Sequence, residues 1–264
     1  MQIKRPDEIT AATEGMAINK IATPHTRLIV QSVLAGAYIA LGGALSVVAG
    51  FGMPEATAAN PGLQRLLSGA TFPIGLILVV VLGAELFTGN NATLVPAYMR
   101  GRIKASGIAL NWTIVWLGNF AGALTFCGLF VAAGGILDAE PYSAALAAVA
   151  EAKVSMPWLT VMVKGIGANW CVCLAIWLAL SGQTLIEKMA GCWLPLMAFV
   201  ALGFEHSIAN MFFLPAAMMT GADISVSAMI TDNLIAATVG NIIGGALFVG
   251  MVYGWLHNNK KTEN

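Results

Sequence analysis

Glu205 and His206 stand side by side in Gly203-Phe204-Glu205-His206-Ser207-Ile208-Ala209-Asn210, at the end of the uncharged run Met189 to Phe204. Histidine changes charge between about pH 5 and 8. Set among apolar helices, it can attract an anion, exchange a proton with it, or both; its plainer role is a neutral imidazole joining helices. Glu85 interrupts another apolar run, in Glu85-Leu86-Phe87-Thr88-Gly89-Asn90-Asn91. Ionisable groups are costly in hydrocarbon and mark functional sites or internal pairs. The two glutamates are expected to serve the structure, by accepting backbone N–H groups at the breaks or by pairing with each other. Asn119 and Asn241 follow Gly118 and Gly240, a setting for interhelical hydrogen bonds. Asn169 lies in another apolar run. Lys153 precedes that run and reads as a solvated loop lysine able to steer anions.

Enzymatic constellations are not found. The sequence has no H-E-x-x-H, no Ser-His-Asp set and no phosphate loop. His25 and His257 fall at the ends of apolar runs, and Cys127, Cys171, Cys173 and Cys192 read as small buried hydrophobes. No catalytic residue, metal or cofactor is expected. A net charge of +0 gives no footprint for nucleic acid.

The elements that must hold these residues are membrane spans. Hydrophobic residues make up 58% and charged residues 10% of the 264, with a mean hydropathy of +0.79. A soluble domain would carry about a quarter charged residues, so lipid must cover much of this surface. Six uncharged runs approach the roughly 20 residues that cross a bilayer: Leu28 to Pro54, Leu66 to Ala84, Ala105 to Leu137, Gly165 to Ile186, Met189 to Phe204, and Asn233 to Leu256. The second and fifth are followed by short uncharged runs, Leu86 to Met99 and Ser207 to Ala222. Residues 8–22 mix apolar and charged side chains, which predicts a helix on the membrane surface. The N-terminus lacks an apolar signal-peptide core.

With both termini on one side, ten of the 13 Lys and Arg fall on that side and three, Arg65, Lys153 and Lys164, on the other. The positive-inside rule then puts both termini in the cytoplasm and the protein in the cell (inner) membrane. The halves also repeat. Leu82 to Glu85 matches Leu202 to Glu205, Asn91 with Pro96 matches Asn210 with Pro215, Gly118-Asn119 matches Gly240-Asn241, and Gly36-Ala37 pairs with Gly167-Ala168. A unit of three spans inverts its successor, so the expectation is an inverted 3+3 repeat with its site near the midplane, where the second and fifth helices break. One channel domain is expected over 1–264: an N-terminal cytoplasmic segment at 1–27, repeats at 28–140 and 155–257, and a cytoplasmic tail at 258–264.

These residues carry a family resemblance. Gly203 to Phe212, Ile230-Thr231-Asp232-Asn233-Leu234-Ile235 leading to Gly240-Asn241, Gly83 to Thr88, and Ala168-Asn169-Trp170-Cys171 to Ala175 resemble the span signatures of the formate/nitrite transporter family, nearest to its bacterial formate channels. Glu85 stands where those channels more often have Asp, and the loop from Met218 to Ala228 is shorter than theirs.

The resemblance implies an aquaporin-like all-α fold in a homopentamer. It implies passage of formate, nitrite or hydrosulfide, with protons as a possible co-substrate and formate the nearest match. By motif position it makes His206 the central pore histidine, Thr88 and Asn169 its polar neighbours, and Lys153 a vestibule lysine with Asn241 nearby. It assigns Phe72, Leu76, Phe87, Val172 and Phe199 to apolar constrictions and Glu85 and Glu205 to the breaks. An aquaporin-like neutral-solute channel is the competing class. Its loops would read Asn-Pro-Ala, where this chain has Asn91-Ala92-Thr93 and Asn210-Met211-Phe212.

Overall fold

The computed structural model describes residues 3–257, so the predicted tail at 258–264 lies outside the described residues. Every regular element among them is a helix. In chain order these are α1 (Pro6–Ala22), α2 (His25–Phe51), a short unnumbered helix at Pro54–Ala58, α3 (Pro61–Leu82, with a turn at Phe72-Pro73), α4 (Phe87–Thr93), α5 (Val95–Met99) and α6 (Ala105–Ala132). Then come α7 (Tyr142–Val154), α8 (Trp158–Ser181), α9 (Leu185–Leu202), α10 (Ser207–Met219) and α11 (Val226–Leu256). Six of them, α2, α3, α6, α8, α9 and α11, are long and apolar enough to span a bilayer. The predicted count of six holds, but five of the six helices begin earlier than the uncharged runs, and five of them end a few residues sooner. The second span begins at Pro61 and takes in Arg65, and the sixth begins at Val226 and takes in Asp232. Runs bounded by charges miss the helical turns that leave the hydrocarbon with a charge attached.

Leu34, Leu41, Leu117, Leu124, Leu194 and Leu247 lie exposed on these helices. Polar side chains are drawn inward instead: Asn111, Asn119, Asn169, Asn210, Asn233 and Asn241 are all buried. This is the arrangement expected where hydrocarbon, not water, is the solvent.

Two helix pairs bring the backbone together closely. Helix α2 crosses α6, and α8 crosses α11. A Cβ on Gly122 would collide with the carbonyl oxygen of Val33, and one on Gly240 with that of Met162. Only glycine allows these crossings. Gly122→Leu or Gly240→Leu is therefore expected to destabilise the fold by about 3 kcal/mol, visible as lost thermal stability of the detergent-solubilised protein. An unchanged unfolding temperature would contradict this packing.

The predicted N-terminal helix forms, but it rests on protein. Thr10, Thr13, Glu14 and Ala17 of α1 are buried, and the Glu14 carboxylate meets the Arg100 guanidinium at 2.8 Å. Its burial is against α5 and the adjoining helices, which follows from the polar face that docks there.

Candidate functional site

The helical path stops twice. Helix α3 ends at Gly83, whose φ of 73° is left-handed, and Ala84 to Leu86 are non-helical, with Leu86 extended, before α4 begins. Helix α9 ends at Gly203 with φ 70°, and Phe204 to His206 are non-helical, with His206 extended, before α10 begins. Glycine takes this conformation without Cβ strain and so closes both helices.

The exposed backbone groups at the breaks find matched partners. At the first, the Glu85 N–H donates to the Gln31 carbonyl (3.1 Å) and the Phe87 N–H to Asn119 Oδ1 (2.9 Å). Asn119 Nδ2 donates to the carbonyls of Ser32 and Glu85, both at 2.8 Å. At the second, the Glu205 N–H donates to the Lys164 carbonyl (3.3 Å) and the Ser207 N–H to Asn241 Oδ1 (2.8 Å). Asn241 Nδ2 donates to the carbonyls of Gly165 (2.9 Å) and Glu205 (3.0 Å). The asparagines, not the glutamates, therefore cap the broken backbone.

The glutamates meet cations instead, and they do not pair with each other. Lys20 Nζ lies 2.6 Å from Glu85 Oε1, and Lys153 Nζ lies 2.9 Å from Glu205 Oε1. Asn90 Nδ2 donates to Glu85 Oε2 (2.8 Å) and Asn111 Oδ1 (2.9 Å). Asn210 Nδ2 donates to Glu205 Oε2 and Asn233 Oδ1, both at 2.7 Å. These networks correct two pairings read from the sequence. Asn90, not Asn91, corresponds to Asn210, because a turn at Leu94 gives the first half an extra residue before Pro96. Ser32 corresponds to Gly165, replacing the match of Gly36 with Gly167, because their carbonyls accept the equivalent asparagine amides.

His206 sits at the second break, 2% exposed. The Ala209 N–H donates to its Nδ1 (3.1 Å), which makes it the N-cap of α10. An N–H donor on Nδ1 leaves the proton of the neutral ring on Nε2. Nε2 lies 2.9 Å from Thr88 Oγ1, so it donates to that hydroxyl, which keeps its own hydrogen for a ligand. The two breaks thus meet through one hydrogen bond.

Asn169 holds this arrangement from behind. Its Nδ2 lies within 3.1 Å of the Thr88 carbonyl, of Asn91 Oδ1 and of the Asn241 carbonyl. The amides of Asn169 and Asn241 are therefore committed to protein acceptors, and both residues position the break. The predicted constriction residues are all buried: Phe72, Leu76, Phe87, Val172 and Phe199. Phe72 and Phe199 cross edge to face with centroids 5.5 Å apart, and the Phe199 ring lies 5.8 Å from the imidazole. Phe87 packs edge-on against Trp112 at 6.2 Å.

Two cavities approach this centre. One, of about 210 Å³, is lined by Phe72, Phe199, His206, Lys153, Glu205 and Arg65. The other, of about 870 Å³, is lined by Lys20, Arg27, Gln31, Glu85, Asn90 and helix α1. They lie toward opposite ends of α2, since Val47 and Phe51 line the first and Arg27 and Gln31 the second. Twenty helical residues separate those ends by about 30 Å, one hydrocarbon thickness.

Sequence reasoning missed Lys20, Asn90, Asn111 and Asn233. The 122-residue spacing of Asn119 and Asn241 also separates Asn111 from Asn233 and marks that pair. Lys20 is marked in the same way once the register is corrected, since it precedes Lys153 by the same 133 residues that separate Ser32 from Gly165.

Six spans around a doubly broken, polar centre define a multi-pass membrane channel or transporter. The family profile described as Formate/nitrite transporter matches residues 7–255, and the chain belongs to that family. Among its relatives is a "Probable formate transporter" of Methanothermobacter thermautotrophicus, 40% identical over 268 residues, covering 96% of this chain and 97% of the relative. An "FNT family ion channel" structure superposes with a TM-score of 0.86 at 30% identity, covering 94% of this chain and 98% of that one. A "Pentameric formate channel with formate bound" superposes with a TM-score of 0.76 at 32% identity, covering 88% of this chain and 96% of that one. The protein is a membrane transporter of this family and not an enzyme.

Proposed function

We propose that this protein conducts formate and kindred small monovalent anions through each subunit of a homopentamer in the cell inner membrane, with both termini cytoplasmic. Its two halves would be related by a pseudo-twofold axis in the membrane plane. The observation that carries this reading is the buried His206–Thr88 hydrogen bond, which joins the two breaks at the floor of a cavity walled by Phe72 and Phe199. The relatives add support: one carries formate in its name and one neighbouring structure is described as pentameric with formate bound.

In this reading the anion loses water against the Phe72–Phe199 pair, since apolar constrictions exclude hydrated ions. The Thr88 hydroxyl, its oxygen already accepting from His206 Nε2, donates to the anion. A bare anion is costly in the apolar stretch beyond, at Leu76, Phe87 and Val172, and taking up a proton lowers that cost. The imidazole can carry the proton only briefly: a second ring proton on Nδ1 would face the Ala209 N–H, donor against donor. Proton transfer through His206 thus returns to the same resting tautomer. Uptake of labelled formate into proteoliposomes, with nitrite and hydrosulfide compared across pH, tests the reading. Formate uptake far above protein-free vesicles and rising as pH falls is expected; background rates for all three anions would refute it.

A further inference from the structure

The two cavities contain the same set of charges, with the lysines and glutamates at matching places in the two halves and the arginines at unrelated ones. Each has one lysine, one glutamate and one arginine: Lys153, Glu205 and Arg65 in the first, Lys20, Glu85 and Arg27 in the second. The lysines are spoken for. Their ammonium groups sit on the glutamates at 2.9 and 2.6 Å, and the four side chains are between 3% and 14% exposed. At any distance an approaching anion can sense, each of these pairs is close to neutral. The arginines differ. Both are exposed, and among the described residues neither forms an ion pair or a side-chain hydrogen bond. Each cavity therefore holds a net positive charge, and the guanidinium carries it.

The residue type suits the task. A guanidinium is weakly hydrated and offers paired N–H donors that match the two oxygens of a carboxylate. An exposed charge of this kind speeds encounter more than it tightens binding. On the reading that the protein conducts small anions, we propose that Arg65 and Arg27 are the anion-capturing residues of the two mouths. The lysines keep the glutamates neutralised and do not act as the long-range attractors. Formate and nitrite, each with two oxygens on one centre, fit the fork, and hydrosulfide does not.

Initial formate uptake by proteoliposomes holding wild type, Arg65→Gln, Arg65→Lys and the double variant Arg27→Gln/Arg65→Gln tests this, each first checked for oligomeric state. The measurement is made at ionic strengths of roughly 0.01 M and 0.15 M, where the screening length is about 30 Å and 8 Å. The double variant should be roughly three- to tenfold slower than wild type at low ionic strength, with the gap narrowing as salt rises. Arg65→Lys should keep the salt dependence but lose preference for formate over hydrosulfide. A double variant as fast as wild type at low salt overturns the assignment, as does a deficit that salt leaves untouched, which would point to a structural role. Wild-type vesicles that take up no formate would instead refute the function on which the proposal rests.

Discussion

His206→Phe is expected to lower formate flux at least tenfold and to flatten its dependence on pH. Phenylalanine fills much of the same volume but has neither ring nitrogen. The Ala209 N–H loses its acceptor and the Thr88 hydroxyl loses its donor. Loss of an N-cap alone costs about 1 kcal/mol, so the variant should still assemble. His206→Asn separates the two roles of the side chain. Asparagine is a good N-cap and is polar, but it does not titrate in the accessible range. It should keep the stability of α10 and part of the flux, yet show no pH response. Full flux with an unchanged pH profile in the phenylalanine variant would end the case for a proton passing through this residue.

Lys153→Met should be the most damaging single change outside the centre. The Glu205 carboxylate is 3% exposed and would keep only Asn210 and Asn233 as partners. Removing one member of a buried ion pair costs about 3–5 kcal/mol, because the remaining charge is left uncompensated. The first cavity would also change from one net positive charge to zero. Thermal stability in detergent and formate uptake should therefore fall together. Adding Glu205→Gln to this variant removes the stranded charge while keeping a side chain that can accept from Asn210, and part of the lost stability should return. If Lys153→Met alone is as stable as wild type, the pair is not the buried unit described here. Lys20→Met tests the matching pair at the other break, where both side chains are slightly more exposed and the loss should be smaller.

Much of this protein was legible in its sequence because a bilayer imposes local rules. A span must be apolar over about 20 residues wherever it occurs, so six of them could be counted from the chain alone. A charge inside a span is rare enough to be noticed singly. Glu85, Glu205 and His206 stood out on that ground, and the repeated Leu-Gly-x-Glu placed both breaks to the residue.

What the tertiary structure decided is how the polar groups are shared among distant segments. From the sequence, Glu85 and Glu205 are expected either to take the exposed backbone at the breaks or to pair with each other, whereas Asn119 and Asn241 take that backbone. The glutamates then pair with lysines 65 and 52 residues away. Arg65 and Arg27 had no distinguishing spacing, yet they are the cations left over in the two cavities once those pairs form. Hydropathy is a property of neighbours in the chain. Hydrogen-bond partnership depends on which helices cross and at what height, and it is set here by glycine contacts between α2 and α6 and between α8 and α11. The chain by itself determined where the membrane is crossed and where the crossing fails; only the packing determined which residue satisfies each exposed donor and which charge remains free.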